Sequence, residues 1–245
     1  MHVKDYRAHQ FTDLVTQYIN QCRAFASEFH LDEFQSRSMT DIGVMPDGQK
    51  ISQLIPAKKF AKLEKILLKA FGIHLAQLDH IYPLFIINLL SEKVMINSEG
   101  IPLDTVLWQT AAQRNRIMLG LESIQDQFDI MNSLSMEYQI KALKDVGANT
   151  SRFRKNILKL ISAYEEQNIK QLYLQSKKSL ANQKRILLYR RNRIMTGVML
   201  SAMSDHNTVF SAIGAAHLWG AEGMLTLLKY AGCSVKPVRI TQEDV

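Results

Sequence analysis

The chain reads as an α/β domain, with a mixed or mostly parallel sheet and a large helical portion, and three stretches carry that reading. Residues 208–213 form a strand-like apolar run, 220–230 have helical spacing and 234–240 are strand-like again, a β-loop-α-β unit. Its crossover is expected to be right-handed onto a parallel sheet. Residues 104–113 followed by 116–121 give a second helix-to-strand step, and 124–204 are almost wholly helical in pattern.

From the start, Phe11, Leu14, Val15, Tyr18 and Cys22 fall at helical spacing, and the short run Ala24-Phe25-Ala26 after them reads as a strand ending at Ser27-Glu28. Met45-Pro46-Asp47-Gly48 marks a turn. Beyond it Phe60, Leu63, Ile66, Leu67 and Ala70 make one apolar stripe over 56–71, with Gly72 as the expected stop, and a further helix is expected through 81–92. Asp104 is the expected N-cap of the helix to Gln113. Residues 180–203 contain no proline and one glycine, so they read as one long helix, and 124–204 as a helical cap or insertion within a single domain spanning 1–245. Gly232 supplies the expected left-handed stop after 220–230.

Composition narrows the class. A chain of 245 residues, 47% hydrophobic and 22% charged, is long enough to bury a sizeable core. Its longest apolar run, 81–90, is about half of what a membrane-crossing helix needs and is interrupted by Pro83 and Asn88. No transmembrane helix is expected. No signal peptide is visible at Met1-His2-Val3-Lys4-Asp5, and export stays open for a chain trimmed at this end. Cys22 and Cys233 lack metal-type spacing and read first as two structural thiols, with a single bridge as the alternative.

The net charge of +7 is uneven: residues 152–193 hold twelve Lys/Arg against Glu165 and Glu166. This stretch reads first as solvated helix faces and second as a docking surface for an acidic partner. Nucleic acid is disfavoured, because Phe153, Tyr164, Tyr173 and Tyr189 sit among apolar residues instead of forming a stacking motif.

The chemistry centres on Gly214-Ala215-Ala216-His217. In an open α/β sheet ligands bind outside the carboxyl ends of the strands, and His217 follows one such end. Gly214 permits a sharp turn or a close approach. The G-x-x-H spacing by itself fits a structural histidine as well. Glu28 and Glu122 each close a short apolar run, so both are placed to project from one sheet edge toward His217. Arg191 belongs to Tyr189-Arg190-Arg191-Asn192-Arg193, where only an arginine facing a pocket would matter. A His/Glu cluster suits a divalent metal ion with an activated water, or a glutamate acting as base. The chain has no G-x-S-x-G, H-E-x-x-H, P-loop, G-x-G-x-x-G or C-x-x-C, and His9, His30, His74, His80 and His206 have no mutual spacing that defines a site.

The ordered set Arg191-Asn192, strand 209–213, Gly214-Ala215-Ala216-His217-Leu218-Trp219-Gly220 and Gly223-Met224-Leu225 resembles the C-terminal hallmark of the TraB/PrgY/GumN family. Leu103-Asp104 and Gly120-Leu121-Glu122-Ser123 with Gln127 resemble its central motif, and 54–83 fit more loosely. Met1-His2-Val3 looks like the tail of the family's first G-x-x-H motif, which places His2 and Glu28 at the matching histidine and glutamate. The resemblance implies a fold related to the erythromycin-esterase and ChaN groups, and its Tiki relatives are metal-dependent proteases. On that basis the expected activity is metal-dependent hydrolysis, of peptides or small molecules. His2, Glu28 and His217 are the expected ligands of a divalent metal, and Glu28, Arg191 and His217 the expected catalytic groups. Glu122, Asn192 and Gly214 are further candidates. The alternative is a non-enzymatic protein that binds a peptide or other ligand in the same pocket.

Overall fold

The computed structural model describes residues 5–35, 43–95, 100–238 and 240. Strands β1 (Ala24–Phe29), β2 (Ile117–Glu122) and β3 (Val209–Ala212) form a parallel sheet in the order β2-β1-β3. Ala24 is in register with both Ile117 and Val209, so the three carboxyl ends emerge side by side. β1 lies in the middle and is covered on both faces, which is why Ala24, Phe25 and Ala26 are fully buried.

Around the sheet run α1 (Thr12–Gln21), α2 (Leu31–Gln35), α3 (Ile51–Leu54), α4 (Ala57–Phe71), α5 (Pro83–Glu92) and α6 (Leu103–Gln113). After β2 come α7 (Ile124–Ser133), α8 (Met136–Ala148), α9 (Thr150–Glu165), α10 (Ile169–Ser179) and α11 (Arg191–His206), and after β3 comes α12 (Met224–Tyr230). The helical expectation for 124–204 is met, and α4 stops at Gly72, whose φ of 69° is the left-handed conformation expected there.

Three hydrophobic clusters hold these elements together. One face of the sheet buries Phe25 with Ile19, Leu107, Trp108 and Ala111 from α1 and α6, and Phe25 stacks on Phe210 with ring centroids 5.9 Å apart. The other face buries Ala26 and Leu121 against Met195 of α11 and Met224 of α12. The third and largest cluster contains no strand residue: it joins Met45, Leu67, Leu75, Ile86 and Leu90 to Ile140, Leu143, Ile157 and Ile161 of α8 and α9. Helices before and after β2 thus share one core.

Four local expectations are corrected. Residues 234–238 carry no strand: Pro237 has no N–H for a ladder, Val238 is 68% exposed, and among the described residues β3 stays at the sheet's edge. The last helix begins at Met224 instead of residue 220, because Gly220 adopts φ 103° in a preceding turn. Asp104 is not the N-cap of α6. Pro102 occupies that place, and Asp104 sits in the first turn, where a carboxylate favours the helix dipole. Finally, 180–203 is not one α-helix. A 3₁₀ turn at Ala181–Gln183 and a π-helical stretch at Arg185–Arg190 precede α11.

Gly120 shows how tightly β2 is laid beside the chain leaving β1. A Cβ there would stand 2.6 Å from the main-chain nitrogen of His30 and 3.1 Å from the carbonyl oxygen of Glu122, neither of which can swing aside. Gly120→Ala is therefore expected to cost about 1–3 kcal/mol of stability, read as a lower urea midpoint.

Candidate functional site

Because the strands are parallel, their carboxyl ends deliver Glu28 from β1, Glu122 from β2 and the 214–217 turn after β3 to one edge. Helix α11 closes this edge from the Ala26 face, with Met195 fully buried beneath it. Arg191 is its first residue. The π-helical stretch before it shifts the phase of the helix at that point, a distortion often found at functional sites.

Arg191 binds both carboxylates. Its Nε donates to Glu122 Oε1 and Oε2 at 3.0 Å each, and its Nη2 donates to Glu122 Oε2 at 2.6 Å and Glu28 Oε2 at 2.9 Å. The Glu122 side chain is 0% exposed, Arg191 12% and Glu28 25%, so this is a largely desolvated triad with one wetter end. Gln127 Nε2 donates to Glu122 Oε2 at 2.9 Å from the first turns of α7. The arginine keeps its charge, and a lone buried charge would be costly, so the guanidinium and the two glutamates each meet a partner inside the triad.

Glu28 reaches β3 as well, its Oε1 accepting the main-chain N–H of Gly214 at 2.7 Å. Burial works against its charge, but His217, Arg191 and the Gly214 N–H outweigh burial and hold its carboxyl down to about 2. A Cβ on Gly214 would lie 2.7 Å from that same Glu28 oxygen and 3.7 Å from His217 Cδ2. The glycine is required by this approach, not by its backbone, whose φ is −56°. Gly214→Ala is expected to push Glu28 off the 214 N–H and cost about 1–3 kcal/mol of stability, read as a lower urea midpoint.

His217, 5% exposed, sits in the short 3₁₀ turn Ala215–His217. Its Nδ1 lies 2.6 Å from Asn192 Oδ1. Asn192 Nδ2 donates to the Glu222 carbonyl at 2.6 Å, which fixes the amide so that Oδ1 must accept, and Nδ1 of the histidine therefore carries the proton. Nε2 is left with its lone pair outward from this bond. Burial pushes the imidazole down to about 4, Glu28 pulls the other way and Arg191 adds to the depression. At neutral pH the ring is uncharged, and Arg191 with the Gly214 N–H then keeps Glu28 ionised.

Of the residues singled out in the sequence, Glu28, Glu122, Arg191, Asn192, Gly214 and His217 converge on this edge, and His2 lies outside the described residues. Of the other histidines, His74 lies beside Glu64, and His30 packs against Trp108 with ring centroids 4.7 Å apart. Two supports escaped the sequence reading: the Glu222 carbonyl that orients Asn192 and the π-helical stretch that phases Arg191. The i, i+5 bonds of that stretch leave no residue pattern distinct from an α-helix, and a main-chain acceptor leaves none at all.

Fold and site together define an α/β protein with a histidine–asparagine pair and a Glu-Arg-Glu triad at the carboxyl edge of its sheet. Residues 1–237 match the model of the TraB/PrgY/gumN family, and the chain belongs to that family. No curated protein and no solved structure gives a significant match. No helix among the described residues is long and apolar enough to cross a membrane.

Proposed function

We propose that this chain is a hydrolase, acting on peptide or related acyl bonds at the carboxyl edge of the sheet. The observation that supports it best is the tautomer of His217: with Nδ1–H committed to Asn192, Nε2 is a neutral base in a buried setting. In this reading Nε2 takes a proton from a water that attacks the substrate carbonyl, then returns it to the leaving group. Arg191 uses Nε and Nη2 on the glutamates, and its Nη1 remains for the oxyanion or a substrate carboxylate. Glu28 ties β1 to the 214–217 turn and keeps the negative charge that opposes Arg191 near the ring.

The family's Tiki relatives raise the question of a metal ion. Among the described residues no group of three His, Cys, Asp or Glu could hold one. Glu28 and His217 supply two donors, but Glu28 is already engaged by a guanidinium at 2.9 Å, whose charge repels a dication. These residues alone do not fit a metal centre, and a bound ion would draw on His2 as well. Metal content decides the matter. An ion bound one-to-one by the wild type and lost in both His2→Ala and His217→Ala would establish the centre, whereas hydrolysis that survives a strong chelator at full rate would leave His217 as a metal-free base.

The reading is tested by incubating the purified chain with mixed peptide and ester substrates and following cleavage by mass spectrometry, alongside Asn192→Ala. Turnover by the wild type, with kcat lowered and KM little changed in the variant, is expected. Ligand binding without any turnover would instead make this a binding protein using the same pocket.

A further inference from the structure

Helix α4 carries a charge pattern that its own packing does not use. Residues 50–78 hold six lysines and one acid, Glu64. Four of the lysines, Lys58, Lys62, Lys65 and Lys69, recur at spacings of four, three and four. At about 100° per residue they fall within one narrow arc, opposite the buried Leu63, Leu67 and Phe71, and make a row roughly 16 Å long. All four are exposed, and among the described residues none has an ion-pair partner. Glu64 is engaged away from them, accepting the Ala76 N–H at 2.9 Å and lying 3.3 Å from His74 Nδ1.

The row works against the helix that bears it. Like charges three and four residues apart on a helix repel one another. Lys58 and Lys59 also stand in the first turn, where the helix dipole favours an acid, and that turn contains none. Elsewhere α4 follows every local rule, with its apolar stripe in the largest cluster and Gly72 as its stop. A surface that keeps an unrelieved local conflict is one reserved for something outside the chain.

We propose that the exposed face of α4 docks the protein on an anionic phospholipid bilayer, as a peripheral, salt-sensitive contact. A row of unpaired ammonium groups calls for a row of anions, and three features select lipid headgroups among them. The exposed residues of α4 include no arginine and no aromatic side chain, the groups that fork phosphates and stack bases in nucleic-acid sites. Lysine is depleted where proteins meet proteins. Along one flank of the row Ala57, Ala61 and Leu68 are exposed, Leu68 by 38%, and Leu54 just before the helix by 44%. Lysine stems reach the headgroup phosphates while such a flank meets the acyl boundary. The inference is independent of the hydrolase reading.

The test is co-flotation of the full chain with vesicles of phosphatidylcholine alone or with about one-third phosphatidylglycerol, with duplex DNA and polyglutamate as soluble competitors at equal anionic charge. Binding to the mixed vesicles only, little displaced by either competitor, is expected, and it should weaken at least about tenfold as salt rises from about 0.05 to about 0.3 M. Lys62→Gln with Lys65→Gln should lower the partition coefficient at least about tenfold. Lys155→Gln with Lys159→Gln removes the same charge from exposed positions of α9 and should lower it less than about threefold. Lys58→Glu should weaken binding as strongly while raising the urea midpoint, because it relieves the first turn and offers Lys62 a partner one turn away. Equal binding to both vesicle types, displacement by DNA or polyglutamate, equal loss in the α9 pair, undiminished binding by the α4 pair, or a lowered midpoint in Lys58→Glu would each overturn the proposal.

Discussion

Arg191→Ala is expected to be the most damaging single substitution at the site, destabilising the protein by about 3–5 kcal/mol and removing measurable hydrolysis. The reason is what it leaves behind. Glu122 has no exposed side-chain surface, and its two oxygens share three contacts with the guanidinium, so without Arg191 the buried carboxylate keeps, among the described residues, only its hydrogen bond from Gln127. Glu28, whose carboxylate accepts from the same Nη2, would then repel Glu122. Arg191→Lys keeps the charge but not the fork that reaches both glutamates at once, and should recover only part of the stability. Urea unfolding of the two variants checks this. A near-wild-type midpoint for Arg191→Ala would show that the triad is solvated and energetically idle.

His217→Ala should lower kcat by about 10²–10⁴ while costing less stability, about 1–3 kcal/mol, from the unpaired Asn192 oxygen. The pH profile carries more information than the loss itself. An ordinary histidine titrates near 6.5, whereas burial holds His217 near 4, so hydrolysis should persist through pH 5 and fall as His217 protonates around pH 4. Stability follows the same sign. Between 6.5 and 4 the unfolded chain binds a proton that the folded ring refuses, so this contribution is fully present above about 6.5 and is lost as pH falls through 4. Glu28 adds a second, lower window: its carboxyl is depressed from 4.5 to about 2, so its contribution is present above 4.5 and disappears as pH falls through 2. Urea midpoints at pH 7, 5 and 3 in wild type and His217→Ala separate the two. A kinetic transition near 6.5 would mean that the imidazole is solvated in the working protein.

Legibility from sequence followed the kind of physics involved. Apolar periodicity and turn residues were enough to mark β1, β2, β3, the stop at Gly72 and the helical run after β2, because each depends on neighbours in the chain. Glu28, Glu122 and His217 were identifiable as strand-end residues, and parallel pairing then brought them together. The misplaced strand at 234–240 shows the limit: Val235, Val238 and Ile240 satisfy a strand pattern, but Pro237 lacks an N–H and β3 gained no neighbour there. Arg191 lay in a run of three arginines that composition alone does not separate. Its neighbours divide the work, Arg193 pairing with Glu222 at the surface while Arg191 turns inward.

The largest hydrophobic cluster, built from helices on either side of β2 and free of strand residues, has a kinetic corollary. Amides of α4, α5, α8 and α9 share one packed interior, and those of β1 and α11 share another, so the two sets should exchange hydrogen for deuterium as separate cooperative units with different opening free energies. The helical lobe can then breathe without disturbing the sheet edge. Ligand at His217 should slow exchange in β1, α11 and the 214–217 turn and leave α5 and α8 unchanged.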